Sequence, residues 1–159
     1  MAAKIEQLKY WKKMVFLMGV FKIPMIHFLS PKVLQVDEKT IRVKIKLRRR
    51  SKNHLNSMYF GALAVGADLC AGLHAFYFSE KANAKVSFAF KSMSGEFLKR
   101  AESDIYFVCN EGDLIHEAVE KSRTSGERVN QKVKVDAVNE QGEIVAIFYM
   151  ESSVKVKAA

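Results

Sequence analysis

The sequence predicts an α+β domain in which an antiparallel sheet curls around one long central helix, with an extra helix at the amino terminus. Three observations carry that prediction. From Ser57 to Phe78 the chain is rich in alanine and leucine and contains no proline, which suits a helix of about six turns. Segments on either side alternate apolar and polar residues with the period of two that a half-buried strand requires. Short turn signals join these segments, and no repeat or low-complexity linker interrupts them. Periodicity alone does not separate this layout from other α+β arrangements.

At the amino terminus, Leu8, Trp11, Val15 and Met18 recur at helical spacing. Residues 1–30 are therefore expected to hold an amphipathic helix packed on a domain spanning 31–157, the whole forming one domain. The uncharged run Met14 to Phe21 is far shorter than the roughly 20 residues a spanning helix needs. No small-residue cleavage site follows it, so a signal peptide is not expected. A helix lying in a membrane surface is the weaker alternative, favoured by Trp11 and the flanking lysines. After Pro31, Ile41, Val43, Ile45 and Leu47 share one face of a strand, or of a hairpin turning at Asp37 to Lys39. Four later stretches, KVSFAFKSM, AESDIYFVCN, ERVNQKVKVDAVNE and EIVAIFYMESSVKVK, read as strands. Glu111 to Ser122 reads as a helix or an extended edge ended by Gly126, and Gln141-Gly142 as a hairpin turn.

A composition of 49% hydrophobic and 27% charged residues supports a buried core and excludes a disordered chain. Cys70 and Cys109 lie in apolar surroundings with no zinc-type spacing, and are expected to be buried thiols in a reducing, cytoplasmic setting. His54 and His116 have no ligand partners at metal spacing, so neither a metal nor a cofactor is expected. The net charge of +9 admits anionic partners. Its densest cluster, Arg48, Arg49, Arg50 and Lys52, is either a solvated strand end or a phosphate site. Nucleic acid is not expected, because base stacking needs aromatics interleaved with basic residues on a sheet face.

Within the long helix, Gly61, Ala64, Asp68, Ala71, Gly72 and Ala75 fall on one narrow face. Each of Gly61, Gly66 and Gly72 costs roughly 1 kcal/mol relative to alanine, so close packing or a ligand must compensate. A partner helix from a second subunit and a crowded core within one chain both satisfy this. Asp68 is the one acid of this segment, and burying it unpaired would cost several kcal/mol. It reads either as a structural carboxylate capping a backbone group or as a catalytic carboxylate in a desolvated site. His74 points elsewhere and reads as a packed or pocket-edge histidine.

The run NHLNSMYFGALAVGAD resembles the start of the central helix in hotdog-fold acyl-CoA thioesterases of the phenylacetate-pathway type, including a thioesterase-like branch. The resemblance extends from Val33 to Val154 and includes the strand order. In that family an Asn or Gln precedes a His-Gly-Gly turn, and an acidic residue follows on the helix. Asn53 matches the amide position, Tyr59-Phe60-Gly61 stand at the His-Gly-Gly turn, and Asp68 matches the acid without a gap. Ser87 matches the family's water-orienting Ser or Thr. The resemblance implies hydrolysis of an acyl-CoA or related thioester by a homodimer or homotetramer with antiparallel central helices. The Phe60 N–H would polarise the carbonyl, the partner's Asp68 would act as base or nucleophile, and Asn53 would position water or carbonyl. Arg48, Arg49, Arg50, Lys52, Lys99 and Arg100 would receive the coenzyme A phosphates. Tyr59-Phe60 depart from the family's His-Gly, so that Tyr59 supplies a hydroxyl donor or Phe60 narrows the pocket. A protein that binds acyl-CoA without turnover is the alternative reading.

Overall fold

In a computed structural model, which describes residues 2–157, the described residues form ten α-helices and strands, besides a short 3-10 turn at Arg49–Ser51. These are α1 (Ala2–Phe21), α2 (Pro24–Leu29), β1 (Lys32–Val36), β2 (Ile41–Ile45), α3 (Phe60–Lys81), β3 (Val86–Phe97), β4 (Ile105–Cys109), α4 (Gly112–Ser125), β5 (Val129–Val138) and β6 (Ile144–Val156). The strands form one antiparallel sheet in the order β1-β2-β4-β5-β6-β3. It curls around α3, whose Ala67, Leu69, Cys70, Leu73 and Ala75 are buried against it.

Local chemistry explains the turns. The Asp37 carboxylate accepts the Lys39 and Thr40 N–H groups at 3.1 and 2.8 Å, which closes the β1–β2 hairpin. At the β5–β6 turn Asn139 Oδ1 accepts from the Gln141 and Glu143 amides, and Gly142 takes φ +82°. The stretch read as helix or strand edge is helix α4. Its Ile115, Ala118, Val119 and Ser122 are buried at helical spacing, and Gly126 ends it at φ +70° with its N–H on the Ser122 carbonyl.

Helix α3 begins at Phe60 rather than Ser57, because the Ser57 carbonyl accepts the Asn53 N–H and Tyr59 is extended at φ −60°, ψ 137°. Its three glycines have different explanations. A Cβ at Gly66 would lie 2.3 Å from the Phe107 ring of β4, so here the crowding is within one chain. Gly72 has no neighbour nearer than Phe88, at 3.6 Å, and borders open space described below.

Helix α1 buries Trp11 and Val15, with the indole 6.1 Å from the Tyr77 ring of α3. It packs along β1, one edge of the sheet, while Met18, Ile23 and Ile26 of the α1–α2 hairpin share a cavity with Phe88 and Phe90 of β3, the other edge. The hairpin thus covers α3 where the curled sheet leaves it open. Cys70 and Cys109 are buried free thiols.

His74 is fully buried on α3 and stacks on Phe78, and neither ring nitrogen has a hydrogen-bond partner among the described residues. Burial pushes its pKa down to about 4, against a smaller opposing pull from Asp37 and Asp113. Between the unfolded value and about 4, the unfolded chain binds a proton that the folded chain refuses. The contribution of His74 to stability is therefore complete above pH 6.5 and falls as the pH drops towards 4. His74→Leu is expected to flatten this acid limb in urea titrations taken at successive pH values, by up to about 3 kcal/mol. Gly66→Ala is expected to lower stability by about 1–3 kcal/mol through its clash with Phe107, read as a lower urea midpoint at unchanged m-value.

Candidate active site

The loop before α3 is held by backbone and side-chain hydrogen bonds. Asp104 accepts the Leu47 N–H at 2.9 Å and pairs with Lys44 at 2.8 Å, which fixes the exit of β2. The Met58 N–H then donates to the Ala101 carbonyl and the Tyr59 N–H to that of Ser51, each at 2.8 Å. Asn53 Oδ1 accepts from Leu55 N, Ser57 N and Ser57 Oγ at 2.9 to 3.2 Å. Its acceptor is consumed by the turn, so the amide NH2 is the part of Asn53 left for a ligand.

Asn53, Tyr59, Phe60, Lys99 and Arg100 line one cleft of about 600 Å³, together with Phe97 and Leu98 from the end of β3. At the start of α3, whose Phe60 and Leu63 line this cleft, the Phe60 and Gly61 N–H groups have no partner within the described residues, while those of Ala62 and Leu63 reach the Tyr59 carbonyl. Free N–H groups at the start of a 22-residue helix are a site for partial negative charge. The turn needs no glycine at Tyr59 or Phe60, since neither has positive φ. Both rings are exposed and lie 4.8 Å apart, and a Cβ at Gly61 would meet the Tyr59 ring at 2.5 Å. The tyrosine ring therefore covers part of the helix start.

Asp68 lies elsewhere, in a cavity of about 240 Å³ between α3, β3 and the α1–α2 hairpin. It is the single carboxylate of that lining, among Leu69, Leu73, Phe76, Phe88 and Phe90. No ion pair or hydrogen bond to its carboxylate occurs among the described residues, so it caps no backbone group. Desolvation alone raises its pKa. Eight residues separate it from Phe60, or about 12 Å along the helix, and the two cavities share no lining residue.

Other expected site residues stand apart. Ser87 lines neither cavity. It faces exposed Lys155 across the β3–β6 ladder and its Oγ accepts from Arg128, whereas the next residue, Phe88, pairs with buried Val154 and turns inward. Strand alternation puts Ser87 on the outer face, away from Asp68. Of the six basic residues, only Lys99 and Arg100 line the cleft. Lys99 is held by Glu143 at 2.6 Å, Arg50 lies over the Phe28 ring at 5.9 Å, and Arg48, Arg49 and Lys52 are exposed outside it. Sequence reasoning missed the hairpin's part in the Asp68 cavity. The alternation of Phe88 and Phe90 signals an inward face, but nothing local signals that Met18, Ile23 and Ile26 would meet it.

Residues 12–155 match the family model described as a domain of unknown function, DUF4442. The chain belongs to that family. No curated protein matches the sequence. Solved structures do match it. A protein of unknown function from Chlorobaculum tepidum aligns at a TM-score of 0.81 and 10% identity, over 94% of this chain and 97% of that one. A thioesterase from Pseudomonas aeruginosa aligns at 0.69 and 13%, over 91% and 94%. A thioesterase from Haemophilus influenzae aligns at 0.66 and 11%, over 88% of each chain. At such identities the likeness carries the architecture. This DUF4442 chain has the hotdog fold, a curled antiparallel sheet around a long helix, with an added amino-terminal helix.

Raising the pKa of Asp68 has a consequence for stability. The folded chain holds that proton more tightly than the unfolded chain, so wild-type stability falls as the pH rises through the interval between the two values. Asp68→Asn removes the penalty. Its melting temperature, compared with wild type by differential scanning fluorimetry, is expected to gain more at pH 8 than at pH 4.

Proposed function

We propose that this protein is an acyl-CoA thioesterase whose site is completed by two subunits. The observation that carries the reading is the unpaired carboxylate of Asp68 in an apolar cavity, on the same helix as free N–H groups about 12 Å away. One chain cannot bring both to one carbonyl. Antiparallel pairing of two α3 helices would set the helix start of one protomer against the carboxylate of the other. Strand β3 suits such pairing, because it is a sheet edge of 12 residues whose stretch from Lys91 to Phe97 is exposed.

The chemistry then follows from the groups. The Phe60 and Gly61 N–H groups, helped by the helix dipole, stabilise charge on the thioester oxygen. Asp68 takes a proton from water as the water oxygen bonds to the carbonyl carbon. Collapse breaks the C–S bond, and the proton passes to the departing thiolate, giving a carboxylic acid and a free thiol. Direct attack by Asp68 would give an anhydride that water then opens to the same products. Asn53 holds water or carbonyl through its NH2. Lys99 and Arg100 border the cleft where coenzyme A phosphates would lie.

The Tyr59 ring over Gly61 favours a second reading, in which the cleft binds an acyl-CoA without turning it over. Thiol release from a series of acyl-CoA esters decides between them. The thioesterase reading expects turnover that falls at least about 100-fold in Asp68→Asn. It also expects a rate that rises with pH, on an acid limb displaced above the ordinary carboxylate range, because burial raises the pKa of the base. Ligand-dependent thermal stabilisation without thiol release would establish the binding reading instead.

The two-subunit site has its own test. Asn53→Asp keeps an acceptor for the turn but loses the NH2 donor. Each of Asn53→Asp and Asp68→Asn is expected to be inactive alone. Unfolded and reassembled together, they are expected to regain about a quarter of wild-type activity, since half the dimers then carry one intact site. No recovery would place the whole site in one subunit.

A further inference from the structure

The α1–α2 hairpin is apolar on both sides. Its inner side buries Trp11, Val15, Ile26 and Leu29. Its outer side carries Phe16 at 59% exposure, Phe21 at 74% and Phe28 at 50%, with Val20, Ile23 and Met25 also exposed. A surface helix is ordinarily polar on its outer face, and a patch of this kind marks a binding surface.

The charge around the patch identifies the partner. The first 32 residues hold six lysines against one glutamate, Glu6, so this segment supplies more than half of the net charge of +9. Lys9, Lys12 and Lys13 are exposed on α1, and Lys22 follows at its end. Their spacing sets Lys9, Lys12 and Lys13 on the same side of the helix as Phe16 and Val20. A groove of about 350 Å³ between α1 and β1 is lined by Lys12 and Lys32 together with Phe16, Pro31, Val33 and Leu34. Two lysines thus line an otherwise apolar trough, the combination that an anionic headgroup with its hydrocarbon requires. Arg50 lies over Phe28 at the far side of the patch.

We propose that the outer face of the α1–α2 hairpin docks on anionic lipid bilayers. The rings enter the boundary between headgroups and acyl chains, while the lysines extend to the phosphates. A second copy of the chain fits this face less well, because a two-fold contact would set one lysine-rimmed patch against another. Ile23 belongs both to the exposed patch and to the lining of the Asp68 cavity, so docking would bring that cavity to the lipid surface. The proposal goes beyond the thioesterase reading and does not depend on it.

The test is co-sedimentation of the full chain with phosphatidylcholine vesicles, with and without about 30 mol% phosphatidylglycerol. Binding is expected to be at least about tenfold tighter on the anionic vesicles and to weaken with salt. Phe16→Ser/Phe21→Ser and Lys12→Glu/Lys13→Glu are each expected to lose most of it while keeping the wild-type melting temperature. Lys121→Glu/Lys132→Glu makes the same change in net charge on other elements and is expected to retain it. Equal binding to both vesicles, no binding, or equal loss in the two charge variants would overturn the proposal. So would a change of Phe16→Ser/Phe21→Ser to a smaller oligomer in light scattering with vesicle binding intact, which would make the face a contact between chains.

Discussion

The burial of α3 inside the curled sheet is the constraint on which the rest of the molecule depends. A helix of 22 residues and high mean hydropathy is long and apolar enough to cross a bilayer, yet here most of it is enclosed by the chain's own strands. The sheet comes close where side chains are small. Gly66 lets the Phe107 ring lie where a β-carbon would stand, and the alanines of α3 keep neighbouring strands near the helix axis. The same enclosure explains why His74 stays neutral and why its ring nitrogens go without partners.

The sheet does not close. Its edges are β1 and β3, and what covers α3 between them is the α1–α2 hairpin. This leaves a cavity beside Gly72, where no backbone or ring fills the space that a missing side chain creates. Asp68 opens into it. Desolvation without a compensating hydrogen bond is an expensive way to place a carboxylate, and no hydrogen bond or ion pair among the described residues offsets it. About two turns away along the same cylinder, the helix start is built from the Asn53 turn and the loop at Ala101. Its free N–H groups are aligned with the axis. One helix thus carries a negative group and a positive pole that its own geometry keeps apart.

Much of this was legible in the sequence because it rests on local spacing. Alternation placed the strands, Gly126 and Gly142 marked turns that take positive φ, and the alanine- and leucine-rich run marked the long helix to within three residues at each end. The identity of Asp68 as the one acid in an apolar stretch could be read directly. The fate of Glu111 to Ser122 could not be, since a short amphipathic run fits either helix or edge until β5 and β6 are there to pack against it.

What the sequence determined by itself is the long helix, the order of elements around it and the 12 Å between Asp68 and the helix start, because rise per residue and side-chain period are properties of the backbone. Tertiary structure decided which residues share a surface. Curling the sheet brought Phe88 and Phe90 to Met18, Ile23 and Ile26, turned Ser87 outward, and put Lys99 and Arg100 but not Arg48 to Arg50 on the cleft. It also left the outer face of α1 bare, although Phe16, Val20 and Phe21 there are as apolar as the buried Trp11 and Val15. Those outcomes depend on contacts between residues far apart in the chain, and local spacing holds no record of them.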